Sequence, residues 1–331
     1  MHDDENVTGG LVKGFVLDGQ GGARALLREG LERLVLQPQE SLWLHWDRSH
    51  PQAQEWLRNS SGLSEFSCDL LLEENTRPRV LSLPADEMLL FLRGVNLNPG
   101  AEPEDMVSMR IFADARRVIS MRLRPSRAVS ELFEQFVRGR GPRNASELIL
   151  ALASQLTSKI ENLVVALTEP VDIEEERIDA DERYVPDHAQ LQQIRRRSAS
   201  LRRFLAPQRD IYAQLAASKR PWFDADACGY WNELNNHLTR YLEELELIRE
   251  RVALILESEH RRMSEQMNRT MYRFGIITGF FLPLSFLTGL LGINVGGIPG
   301  AELPYAFILV CVLMGTLTFA QWWLFRRLRW L

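Results

Sequence analysis

The pattern of hydrophobic and polar positions changes character twice along the chain. In the first part, short runs rich in β-branched and aromatic residues, bounded by Gly, Pro, Asp or Asn, predict strands over 14–18, 41–46, 80–83, 88–95, 107–112 and 118–123. The stretch 109–123 reads as a hairpin turning at Ala113-Asp114-Ala115-Arg116. Helical spacing over 22–36 and 51–58 predicts two helices covering one face of the sheet. From Ser126 onward the spacing is helical, over 126–137, 146–179 and 185–217, and a last helix starts near Asp224. Gly141-Pro142, Pro186 and Pro221 punctuate those starts.

The last helix carries the most structural information. Leu234, Leu238, Tyr241, Leu245, Ile248, Val252 and Ile255 alternate steps of four and three, the period of a helix packed lengthwise against others. The same register turns polar at Glu259, Arg262 and Gln266, and no Gly or Pro interrupts the chain before Gly275. One continuous helix from about Asp224 to Leu291 is expected, on the order of 100 Å long at 1.5 Å per residue. Uncharged apolar residues fill 274–293 and again 303–325. Each run reaches the roughly 20 residues that a helix needs to cross a ~30 Å hydrocarbon layer, so two spans are predicted.

The resulting fold class is an α/β domain, a sheet covered by helices, followed by a very long stalk helix continuous with the first of two membrane spans. In ranges, the expectation is a cytoplasmic α/β domain over 1–143, a cytoplasmic helical layer over 144–221, a stalk over 222–273, a first span over 274–293, an outer loop over 294–302, a second span over 303–325 and a basic tail over 326–331.

Charge orients this arrangement. Arg261, Arg262, Arg269 and Arg273 precede the first span and Arg326, Arg327 and Arg329 follow the second, which places both termini on the cytoplasmic side. The acidic N-terminus lacks the basic and apolar regions of a signal peptide. With a net charge of −5 and no interleaving of aromatic and basic residues, nucleic acid is not an expected partner. The acidic stretch 169–182 reads as a solvated face or a helix-to-helix turn, offset by Arg195, Arg196, Arg197, Arg202 and Arg203. Cys68, Cys228 and Cys311 have no metal-ligand spacing and read as small buried residues of a reducing compartment. His45, His50, His188, His237 and His260 are scattered.

Within the first span, Thr278, Leu282, Ser285 and Gly289 fall on one stripe at steps of four, three and four. Such a stripe suits a helix lining a narrow aqueous pore, and it equally suits packing between spans. Pro283 removes one helix hydrogen bond and frees the Gly279 carbonyl, so a local loosening is expected. Asn294 stands where the helix leaves the membrane, after Gly292 and Ile293 and before Gly296-Gly297. Its amide oxygen is a hard, neutral donor suited to holding a hydrated divalent cation through its water shell; capping of the helix C-terminus is the alternative. Glu302, the only charge in the outer loop, can raise the local cation concentration.

Two C-terminal spans, a long preceding helix, a Gly-x-Asn signature at 292–294 and a basic tail together resemble the CorA superfamily of divalent-cation channels and transporters. Magnesium-transporting members carry Gly-Met-Asn, whereas this chain has Gly292-Ile293-Asn294 and is similar to the zinc-transporting ZntB branch. The resemblance implies a homopentamer with a funnel of cytoplasmic parts, a pore lined by the first spans and an outer ring of second spans. It implies that Asn294 is the extracellular filter, contacting metal through hydration water, and that Gly292 gives close approach. Ser285, Leu282, Thr278, Phe274 and Met271 would line the pore below. Zn2+ is the implied cargo, taken up with or without related divalent ions; Mg2+ or Co2+ conduction of the CorA type is the alternative. Proton coupling is compatible with that branch, although neither span contains Asp, Glu, His, Lys or Arg.

No cofactor is expected, and a Walker motif is absent. A potential of about 100 mV, negative inside, supplies roughly 4.6 kcal/mol per divalent ion, enough to favour entry without ATP. A lone two-span hairpin cannot enclose an aqueous path, so any channel must be oligomeric and embedded in the bilayer. The rival of another class is a membrane-anchored cytoplasmic sensor or scaffold. An enzyme is disfavoured, since nucleophile-elbow, metalloprotease and dinucleotide motifs are all missing.

Overall fold

Short, largely apolar runs build a seven-stranded sheet from β1 (Leu11–Leu17), β2 (Ala23–Ala25), β3 (Ser41–Asp47), β4 (Arg79–Ser82), β5 (Met88–Gly94), β6 (Val107–Ala113) and β7 (Arg117–Arg122). These belong to a computed structural model that describes residues 9–181, 183–293, 300 and 303–328. The strand order is β2-β1-β3-β7-β6-β5-β4, and every pair is antiparallel except β3 with β7. The chain divides into two units, Met1–Ile255 and Leu256–Leu331.

The hairpin between β6 and β7 turns where the sequence places it, with Ala113 opposite Val118. Asp114 fixes the turn: its Oδ1 accepts from the Arg116 and Arg117 amides at 2.8 and 2.7 Å, and its Oδ2 accepts from Arg117 Nε at 2.7 Å. The expected helix over 22–36 does not form. Gly19 and Gly21, at φ of 79° and 99°, reverse the chain around the Asp18 carboxylate. Residues 23–25 then pair with the free edge of β1, leaving only a 3-10 turn at Arg28–Arg33. Edge hydrogen bonds to a strand already in place outweigh a weak helical periodicity.

Helices α1 (Pro51–Asn59) and α2 (Glu65–Leu72) cover one sheet face, and their Leu57 and Leu71 are buried among Leu44, Trp46, Phe91, Phe112 and Met121. Sequence spacing missed α2, although Ser64 announces it by accepting from the Ser67 amide at 3.2 Å. On the other face, Phe133 and Phe136 of α3 (Arg127–Val137) meet Phe15 and Trp43 at ring-centroid distances of 5.1 to 5.8 Å. Helix α4 (Ala145–Ala180) approaches β5 at Gly94, where Leu156 occupies the space a β-carbon would take.

By length and composition α4 is apolar enough to cross a membrane, as are α6 (Ala227–Leu291) and α7 (Ala306–Arg327). Half of its apolar window is buried inside the protein, whereas none of the corresponding windows of α6 and α7 is. Leu148, Leu152, Leu156, Ile160 and Leu167 therefore make α4 a core helix. α5 (His188–Ala216) adds the buried Tyr212, whose hydroxyl lies 3.0 Å from Thr157 Oγ1 of α4.

In α6 the expected seam is buried at every position: Leu234, Leu238, Tyr241, Leu245, Ile248, Val252 and Ile255. The acidic stretch finds partners other than those expected. Arg251 of α6 pairs with Asp172 at 2.6 Å and Glu175 at 2.5 Å, and Arg177 pairs with the buried Glu174 at 3.1 Å. Of the α5 arginines, Arg197 instead meets Glu104 at 2.7 Å and Arg202 meets Glu246. Arg197 thus reaches the β5–β6 connection and Arg202 reaches α6. The cysteine expectation also divides: Cys68 is buried, while Cys228 and Cys311 are exposed on helix surfaces.

Candidate functional site

Beyond Ile255, α6 loses its apolar seam and runs into the first candidate span. Glu259 is still buried and pairs with Arg262 at 3.5 Å; the following turns, through Arg273, are exposed or nearly so. Within the span, Ile276, Gly279, Phe280, Pro283, Leu284 and Leu287 are half-buried. They recur at steps of three, one, three, one and three, which is one helix face. Their counterparts on α7 are Ala306, Val310, Met314, Leu317 and Gln321, at steps of four, four, three and four, followed by the buried Phe325.

This hairpin is held at a defined point. A β-carbon on Gly279 would stand 2.8 Å from Phe325 Cζ, so glycine lets the ring come this close. Phe280 meets Phe325 edge-on with ring centroids 4.9 Å apart. Pro283, lacking an N–H, cannot serve the Gly279 carbonyl, and Gln321 Nε2 donates to that oxygen at 3.4 Å. The helix passes through Pro283 without ending. Sequence spacing did not single out Gln321. Its signal was present: it is the only amide in 303–325, and a lone polar group in an apolar span commonly bonds between helices.

Met271, Phe274, Thr278, Leu282, Ser285 and Gly289 are all exposed. At ~100° per residue their mean direction lies roughly 170° from that of the face packed on α7. The stripe is therefore brought together on one side, and that side is not the hairpin seam. At the end of α6 the Gly292 amide donates to the Thr288 and Gly289 carbonyls at 2.9 and 3.2 Å. A β-carbon there would approach the Thr288 carbonyl to 3.0 Å, a tight fit that glycine avoids. Ile293 is half exposed. Asn294 and Glu302 lie outside the described residues.

At the far end of α7, Arg326 stacks over Trp322 at 5.4 Å and Arg327 over Trp323 at 5.3 Å. Such pairs suit a membrane–water boundary, where ring and cation both keep one wet side. Among the described residues no three His, Cys, Asp or Glu side chains gather as metal ligands. His45 is buried with Nδ1 2.7 Å from Ser120 Oγ, and His237 lies 3.0 Å from Glu233, so neither belongs to the stripe.

Residues 38–327 match the family described as "CorA-like Mg2+ transporter protein". The divalent cation transporter CmaX of Pseudomonas aeruginosa is 63% identical over 322 residues, covering 97% of each chain. The zinc transport protein ZntB of Pectobacterium carotovorum is 32% identical over 323 residues, covering 97% of this chain and 96% of that one. A solved structure of full-length CmaX superposes with a TM-score of 0.87 at 61% identity, over 99% of this chain and 100% of the other. On these grounds, the chain belongs to the CorA-like Mg2+ transporter family.

Proposed function

We propose that this chain assembles as a homopentamer and carries divalent cations, Zn2+ foremost, inward across a bacterial-type inner membrane with both termini in the cytoplasm. One observation carries the proposal: the face bearing Thr278, Leu282, Ser285 and Gly289 points away from α7 and is exposed, with no partner among the described residues. Polar and small groups on an unpartnered face of a span are costly against lipid and useful around water. Five copies turned inward give that face an aqueous path, closed to the outside by second spans.

In this assembly Gly292, Ile293 and Asn294 form the outer constriction, where five amide oxygens hold a metal ion through its water shell. Glu302 draws cations to the mouth. Met271 and Phe274 continue the lining toward the cytoplasm. The two relatives named for divalent cations and for zinc support the cargo class, and the family description, which names Mg2+, supports Mg2+ conduction as the second reading.

Flux into liposomes containing the purified protein, offered Zn2+, Mg2+, Co2+ and Ni2+ in turn, tests this. Zn2+ uptake is expected, and Asn294→Ala is expected to abolish most of it while the assembly keeps its mass. Mg2+ uptake without Zn2+ uptake would transfer the protein to the magnesium reading. Undiminished flux in Asn294→Ala would remove the amide ring from the mechanism.

A further inference from the structure

A cavity of about 550 Å³ opens in the N-terminal unit where the carboxyl ends of the two parallel strands, β3 and β7, meet the α2–β4 and β5–β6 connections and α5. Six arginines line it: Arg48, Arg77, Arg93, Arg110, Arg124 and Arg203. The acids on its wall are Glu74, Glu104 and Asp105, and Glu104 is already matched by Arg197 at 2.7 Å. Among the described residues, none of the six arginines has a carboxylate within ion-pair distance. A pocket of this size is left with an excess of positive charge.

Part of that charge is structural. Arg48 and Arg110 donate to the Leu72 and Leu71 carbonyls at 3.2 and 2.7 Å, capping the C-terminal end of α2. Arg110 also donates to the Glu74 carbonyl at 3.2 Å, and Arg93 to those of Met106, at 3.0 Å, and Thr76. Carbonyl partners satisfy hydrogen bonds without neutralising a cation. Arg110 is 1% exposed, and its Nε, like that of Arg48, is buried with no hydrogen-bond partner. Burial, followed by the guanidinium groups of Arg48 and Arg93, pushes the Arg110 pKa down to about 9, so it stays cationic at neutral pH. Buried like charges with unspent donors are retained at a cost, and a ligand carrying the opposite charge removes that cost. Arg77, Arg124 and Arg203 add exposed forks at the rim, and the volume lies in the range of small-molecule sites.

We infer that this cavity binds a soluble anion carrying two or more linked phosphates, such as a nucleoside triphosphate, with Arg48, Arg93 and Arg110 at its floor and Arg77, Arg124 and Arg203 at its rim. Several guanidinium forks converging on one volume match linked phosphates better than a single carboxylate. The site lies in the N-terminal unit, and none of its residues belongs to the cation path proposed above.

Calorimetric titration of the full chain in detergent with sodium triphosphate, ATP, orthophosphate and sulfate tests it. Saturable binding of triphosphate and ATP at one site per chain is expected, with sulfate and orthophosphate weaker. Arg203→Glu and Arg77→Glu, both at exposed positions, should weaken binding at least about tenfold with unchanged circular dichroism. Arg110→Met probes the floor; should it unfold, the two rim variants still decide. Absence of saturable binding by both polyphosphates, equal affinity for sulfate, or undiminished affinity in both rim variants would each overturn the assignment.

Discussion

The bond from Gln321 to the Gly279 carbonyl makes a quantitative prediction about how the two candidate spans are joined. Pro283 deprives that carbonyl of its normal helical donor, and the replacement among the described residues is an amide 3.4 Å away on α7. Gln321→Met keeps the side-chain volume and removes the donor, leaving the carbonyl bare in apolar surroundings. Hydrogen bonds between membrane helices are worth about 0.6 kcal/mol on average, so a long bond with few competitors should contribute about 0.5–1 kcal/mol. Pro283→Ala restores the backbone N–H, and in that background the amide has nothing left to supply. Unfolding of the purified protein in one detergent, run as a double-mutant cycle, measures the coupling. The cost of Gln321→Met should fall from about 0.5–1 kcal/mol to near zero when Pro283→Ala is present. Equal costs in both backgrounds would refute the compensation.

Two further predictions concern the N-terminal unit. Burial, and then the charge of Arg122, pushes the His45 pKa from 6.5 down to about 3, so the folded state holds a neutral ring where the unfolded chain would take a proton. Stability should therefore be full above the unfolded value and fall as pH drops from 6.5 toward 3, by about 2 kcal/mol at pH 5; thermal melts of His45→Gln should show that share of the pH 8 to pH 5 loss missing. Leu245, fully buried on the α6 seam, should cost about 2–5 kcal/mol when replaced by alanine, read as a loss in denaturant midpoint at constant slope; an effect below about 1 kcal/mol would mean the seam is not a packing surface.

Much of the fold was legible because its determinants are periodic. The α6 seam from Leu234 to Ile255, the strands and the Asp114 turn all follow from side chains a few residues apart. Prediction failed over 22–36, where the decisive partner was the free edge of β1, and at α2, whose eight residues are too few for a firm period. The stripe on the first span was legible, but its orientation was not. Choosing between pore lining and packing required knowing which face meets α7, and that depends on Gly279, Gln321 and Phe325, residues some 40 positions apart. The arginine cavity left no trace in spacing at all, since its members run from Arg48 to Arg203 and only strand order gathers them.

Blocking the first span from within tests the central claim most directly. With Cys68, Cys228 and Cys311 replaced by serine, Ser285→Cys places one thiol in the middle of the stripe. Treatment with a bulky, water-soluble thiol reagent during Zn2+ flux into liposomes should label that thiol and stop transport. Continued flux with the thiol fully labelled, or a thiol that stays unreactive in an actively transporting protein, would contradict a water-filled path along Thr278, Leu282, Ser285 and Gly289.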